Sequence, residues 1–140
     1  MNTLRTIVVV VVLSAVAALL AAKYHPDLRG GPTPPLGDHE TDVVTALTWS
    51  TRLLWVDVRA TTEFTRAHIP GALSLDPVDW EARLGQLLEQ WHSGTKTVVY
   101  CDAAGCDLSK QIAARLRDEV GLPEVYFLRG GWEAWQKQHP

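Results

Sequence analysis

Three short runs of apolar residues, unbroken by any regular polar position, mark the later part of the chain: Leu53-Leu54-Trp55-Val56, Thr97-Val98-Val99-Tyr100 and Val125-Tyr126-Phe127-Leu128. A strand with one wet face alternates apolar and polar residues, so runs that do not alternate predict strands buried on both faces. Between them the apolar spacing becomes helical. Trp80, Leu84, Leu87, Leu88 and Trp91 recur at helical intervals across Asp79–His92, where Ser93-Gly94 turns the chain. Ile112, Ala113, Leu116 and Val120 repeat the pattern across Leu108–Val120, which Gly121 and Pro123 stop. Asp42 caps a short helix reaching Ser50 through Val43, Val44, Ala46 and Leu47. Ile69-Pro70-Gly71-Ala72 leads into a short strand at Leu73–Leu75, and Gly130-Gly131 precedes a last helix carrying Trp132 and Trp135. Strands that alternate with helices predict a three-layer α/β fold with a mainly parallel sheet covered on both faces.

The beginning of the chain follows another rule. Residues 7–22, IVVVVVLSAVAALLAA, contain no charge and no polar face, with Arg5 before them and Lys23 after. A span needs about 20 apolar residues, with a lower limit of roughly 17, so the run is a short transmembrane anchor or the apolar part of a signal peptide. Ala-Ala-Lys-Tyr at its end offers no clean cleavage point, which favours the anchor. The position at the start of the chain predicts a single-pass protein whose domain is exported to a periplasmic or other extracytoplasmic space. From His25 to Glu40 the sequence HPDLRGGPTPPLGDHE is rich in Pro and Gly and has no apolar period, as an extended spacer would. The expected organisation is a flank at 1–6, an anchor at 7–22, a linker at 23–41 and one domain at 42–140.

Charge narrows the partners. From Leu36 onward ten Lys or Arg stand against fifteen Asp or Glu, a difference of −5, which argues against a nucleic-acid backbone. The only two cysteines, Cys101 and Cys106, share one short segment, so they cannot staple the fold and their interest is chemical. Cys101 follows the second buried run, and in parallel sheets ligands sit at the carboxyl ends of strands. No spacing of His, Cys, Asp and Glu resembles a metal site, and no cofactor is implied.

Three blocks resemble the rhodanese family. Val56-Asp57-Val58-Arg59, Glu63-Phe64 and His68-Ile69-Pro70-Gly71-Ala72 are similar to its opening signature. Val98-Val99-Tyr100-Cys101, followed by a loop and helix, resembles its active-site segment. Leu128-Arg129-Gly130-Gly131-Trp132-Glu133-Ala134-Trp135 resembles its closing element. The resemblance implies a five-stranded parallel sheet between helices and a cysteine that carries sulfane sulfur as a persulfide, taken from a small sulfur-containing anion or another persulfide donor. On that reading Cys101 is the nucleophile, and the backbone amides of Asp102, Ala103, Ala104, Gly105, Cys106 and Asp107 form an anion cradle. A loop entering a helix N-terminus points N–H groups and the positive end of the helix dipole at the cysteine, which favours its thiolate.

The residues around it carry more structural expectations. Arg59 and Glu63, four apart, are expected to pair and fix a turn, with substrate contact as their other role. Asp57 ends a strand and is expected to hold loop amides, and His68 is expected to serve the turn and packing rather than as a base. The loop reads two residues longer than is common in the family if Ser109 opens the helix, and it contains no basic residue. Asp102 and Asp107 place carboxylates around the cysteine, which would repel a dianion and disfavour the thiolate. An enlarged loop also suggests the rhodanese-fold phosphatases, but those need an arginine for phosphate and none lies here.

Three functions follow from this sequence. The leading one is a membrane-tethered sulfurtransferase, and a non-catalytic rhodanese-fold binding module is its rival. The third is a thiol–disulfide redox protein in which Cys106 acts as resolving thiol or closes a disulfide with Cys101 that blocks sulfur transfer.

Overall fold

A computed structural model describes residues 7–8, 11–14, 34–103 and 107–139. The chain divides into two units, Met1–Pro35 and Leu36–Pro140. In the first, residues 7–8 and 11–14 are helical, and the rest of the expected 7–22 anchor lies outside the described residues. Among the described residues no helix is long and apolar enough to cross a membrane.

The second unit is built in the order β1 (Glu40–Thr41), α1 (Val43–Thr48), β2 (Leu53–Asp57), α2 (Thr61–Arg66), β3 (Leu73–Ser74), a 3-10 turn (Pro77–Asp79), α3 (Trp80–Gln90), β4 (Lys96–Tyr100), α4 (Asp107–Asp118), β5 (Val125–Leu128) and α5 (Gly131–Gln138). The five strands lie in the order β1-β5-β4-β2-β3, and every pairing is parallel. The sheet begins at Glu40, ahead of the boundary drawn from sequence at residue 42.

The runs in β2 and β4 are buried on both faces, as their lack of alternation predicted, whereas in β5 Tyr126 and Phe127 are only half-buried. Successive strand residues point to opposite sides. Leu54, Val56 and Val99 therefore join one core with Trp80 and Leu87 of α3 and Ile112, Ala113 and Leu116 of α4. Trp55, Val98 and Tyr100 join the other with Val43 and Ala46 of α1, against which Trp132 and Trp135 of α5 pack. Helix α1 starts where expected, because the Asp42 carboxylate accepts a hydrogen bond from Thr45 N at 2.7 Å and caps it.

Strand β1, helix α2 and the 3-10 turn were not anticipated. Helix α2 buries none of its residues and has no apolar stripe. Its entry is fixed by Asp76, whose carboxylate accepts from Thr61 N at 2.8 Å and from Val78 N at 3.0 Å. One side chain thus caps both α2 and the 3-10 turn.

The register of the central pair positions the site. Asp57 at the end of β2 stands opposite Tyr100 at the end of β4. Val58 N then donates to Tyr100 O at 3.0 Å, continuing the ladder beyond the last paired residue. The chain leaving β2 and the chain leaving β4 therefore emerge side by side, which puts Arg59 and Asp102 at the same level.

Candidate functional site

Cys101 leaves β4 buried, with 3% of its surface exposed, and belongs to the core under α3 and α4. Its Sγ lies 3.5 Å from the hydroxyl oxygen of Ser109, itself buried in the first turn of α4. The sulfur therefore faces the N-terminal turn of a twelve-residue helix, where the positive end of the helix dipole favours negative charge. Ser109 was expected to open the helix, but the helix begins at Asp107, ahead of the Leu108 start read from spacing, and Ser109 is its third residue.

Cys101 is disulfide-bonded. The sequence holds one other cysteine, Cys106. With Ala104 and Gly105, Cys106 lies outside the described residues, so of the expected cradle only Asp102, Ala103 and Asp107 are described.

The backbone at the cysteine is held by α5. Trp132 N donates to Cys101 O at 2.7 Å and Glu133 N donates to Asp102 O at 2.9 Å. These carbonyls satisfy N–H groups that the first turn of a helix leaves without partners. So close an approach requires Gly131. Its φ is +53°, and a Cβ there would run into the carbonyl oxygen of Cys101.

Arg59 is the main polar element beside the cysteine, and only 5% of it is exposed. Its Nε donates to both Asp57 oxygens at 3.0 and 3.1 Å, and its Nη2 donates to Asp57 Oδ2 at 2.6 Å and to Ala67 O at 2.7 Å. The guanidinium carbon lies 4.9 Å from the Trp132 ring centre and 5.7 Å from that of Tyr100. Nη1 faces the loop, with Asp102 Oδ1 at 3.5 Å. Burial alone would lower the Arg59 pKa, but hydrogen bonding and charge from Asp57 outweigh it and hold the pKa above its ordinary value. Burial also pushes the Tyr100 phenol upward, so its hydroxyl stays protonated while accepting from Ile69 N at 3.1 Å.

The expected Arg59–Glu63 pair does not form. Helix α2 begins at Thr61, so Arg59 lies before it and four-residue spacing brings no contact. Glu63 instead pairs with Arg66 on the exposed face. Asp57 does bind an amide, that of Arg59 at 2.9 Å, but its larger role is to neutralise the buried guanidinium. His68 is exposed and stacks on Phe64 with ring centres 4.0 Å apart, while its Nδ1 donates to Phe64 O at 2.8 Å.

The two loop carboxylates each have a cation. Asp102 is turned toward Arg59, and Asp107 lies 3.4 Å from Lys110 Nζ on the surface. Sequence reasoning missed that Arg59 reaches the loop, and it took Trp132 only as packing. The Asp57-x-Arg59 spacing at a strand end was the available signal, but its meaning depends on the β2–β4 register. Among the described residues no group of three His, Cys, Asp or Glu is placed to hold a metal ion.

Residues 40–138 match the family described as Rhodanese-like domain. The chain is 34% identical over 84 residues to the thiosulfate sulfurtransferase GlpE of Coxiella burnetii, covering 60% of this chain and 72% of that protein. It is 33% identical over 82 residues to the thiosulfate sulfurtransferase GlpE of Shewanella oneidensis, covering 59% and 74%. Among solved structures, a Bacillus halodurans protein shares the fold with a TM-score of 0.56 at 23% identity, covering 71% of this chain and 72% of the other. A Lactobacillus plantarum protein does so with a TM-score of 0.54 at 22% identity, covering 73% and 85%.

Proposed function

This chain belongs to the rhodanese-like family, and from that premise we propose that it is a sulfurtransferase in which Cys101 carries sulfane sulfur as a persulfide. The observation that carries the reading is the setting of the Cys101 sulfur, at the carboxyl end of β4 and 3.5 Å from Ser109 in the first turn of α4. A thiolate is stabilised there, and only the thiolate attacks sulfur efficiently. The likeness to thiosulfate sulfurtransferases supports a sulfur oxyanion as donor.

The cycle starts with a dithiol reductant, which takes up the oxidation of the Cys101 disulfide and leaves free thiols. The Cys101 thiolate attacks the sulfane sulfur of thiosulfate. The donor's S–S bond breaks, sulfite leaves with the bonding electron pair, and the cysteine becomes a persulfide. A nucleophilic acceptor then attacks the outer sulfur and takes it, and the departing thiolate is Cys101 again.

Intact mass of the full chain, reduced, freed of reductant and incubated with thiosulfate or a polysulfide, tests this. The expected gain is one sulfur atom, absent in Cys101→Ser. No gain with either donor would leave the binding module as the better reading. The bonded state of Cys101 also favours a redox reading. Alkylation of the oxidised chain before and after reduction decides it, since labelling of both thiols without reductant would end that reading. We also propose that residues 7–22 anchor an exported domain. Resistance of the full chain to alkaline extraction from membranes is the expected result, and its release as a shortened chain would mean a cleaved signal.

A further inference from the structure

Arg59 is 97% buried by its side chain, yet its nitrogens are not equally engaged. Nε and Nη2 make contacts of 2.6–3.1 Å with Asp57 and Ala67. Nη1 carries two N–H groups, and among the described residues it meets only Asp102 Oδ1, at 3.5 Å. That distance exceeds an ordinary charge-assisted hydrogen bond of about 2.7–2.9 Å. The side chain of Asp102 is 66% exposed, so water competes for it.

The guanidinium cannot swing away. Asp57 fixes it along one edge, and the rings of Trp132 and Tyr100 lie 4.9 and 5.7 Å from its carbon. Its one weakly engaged edge therefore faces Asp102, the residue that directly follows the cysteine. A fixed cation with a planar donor edge suits an oxyanion, and desolvation of its stem strengthens the attraction.

We propose that the Nη1 edge of Arg59 is the subsite for the oxyanion end of the sulfur donor, with the Asp102 carboxylate standing in it until the donor displaces it. This rests on Cys101 being the sulfur carrier. It supplies from the end of β2 the basic group that the cysteine loop lacks. The donor class is then a sulfur oxyanion such as thiosulfate, whose sulfonate end replaces one carboxylate by a group of greater charge. The 3.5 Å contact is the feature that permits exchange, since it is longer than a charge-assisted hydrogen bond and its carboxylate is open to water.

The test measures equilibrium binding of thiosulfate to the full chain in a Cys101→Ser background, where no sulfur can be transferred, by calorimetry. Asp102→Asn should tighten binding about threefold to fivefold, near the upper end for a loose ion pair with one solvent-exposed partner. Asp102→Glu, which keeps the charge and extends the carboxylate toward Nη1, should bind no better than the parent. Asp107→Asn makes the same charge change in the same loop but releases Lys110, so its Kd should stay within about twofold of the parent. Equal affinities across the set would overturn the proposal. So would an equal gain from Asp107→Asn, which would trace the effect to overall loop charge. The assay does not depend on catalysis, so a chain that binds as described yet gains no sulfur in the mass experiment would defeat the sulfurtransferase reading and leave this subsite standing.

Discussion

Strand β4 has a cation among aromatic rings near each of its ends, and the two are built differently. At its start, Lys96 Nζ lies 2.6 Å from Glu124, 4.8 Å from the Trp49 ring centre and 5.3 Å from that of Tyr126. At its finish, Arg59 lies beside Tyr100 and Trp132, bound tightly to Asp57 and loosely to Asp102. Lys96 offers a compact charge that donates to Glu124 at 2.6 Å and to the Tyr126 hydroxyl at 3.4 Å. Arg59 has a fork of donors, so one edge can be fixed while another faces the loop. The comparison teaches that an aromatic-walled cation can close a sheet end or leave it receptive, and that the number of directed donors decides which.

The largest perturbation of this contrast is Asp57→Ala. It strands a buried guanidinium and should destabilise the domain by about 3–5 kcal/mol in urea unfolding. A loss below 1 kcal/mol would mean that Arg59 finds water and is not held as described. Next, Gly131→Ala forces a Cβ against the Cys101 carbonyl at a left-handed φ, with an expected cost of about 2–4 kcal/mol. After reduction, the same variant should also alter the alkylation rate of Cys101, because Trp132 N can no longer hold that carbonyl. An unchanged rate would separate the α5 contact from the cysteine.

Two smaller effects carry a sign in pH. Asp76→Ala removes two caps and should cost about 1–2 kcal/mol near neutrality. The bonds from Val78 and Thr61 hold the Asp76 carboxyl below its ordinary pKa, so this contribution is present above pH 3.8 and lost as the pH falls through the depressed value. The gap between parent and variant should therefore close in acid. At the other end of β4, Lys96→Met should cost about 1 kcal/mol. Its hydrogen bond with Glu124 raises the ammonium pKa, so that stability is complete below pH 10.5 and is lost as the pH climbs through the raised value. Lys96→Met should leave thiosulfate binding untouched, and any change would break the separation of the two ends.

How much of this was legible in the sequence followed burial. The runs in β2, β4 and β5 announced themselves because both faces of the sheet are covered, and α3 and α4 because each turns one apolar side inward. Strand β1 was missed: Glu40 and Thr41 are two polar residues, made a strand only by pairing with Phe127 and Leu128. Helix α2 was missed for a related reason, since TTEFTR buries nothing fully and Thr is a poor helix former. At the site, Cys101 and Ser109 were accessible from motif and spacing. The partners of Arg59 were not, since Asp102 is 43 residues away and reaches it only through the β2–β4 register. A four-residue spacing suggested Glu63 because the start of α2 was unknown.

The pairing of β1 with β5 bears on how such a chain is made. Synthesis proceeds from the amino end, so Glu40 and Thr41 leave the ribosome long before Phe127 and Leu128 exist to receive them. The helix whose amides hold the Cys101 and Asp102 carbonyls comes last among the described elements of this unit. A nascent chain ending anywhere before α5 therefore carries Cys101 without the clamp that shapes its surroundings, and those surroundings are completed only once α5 has been made.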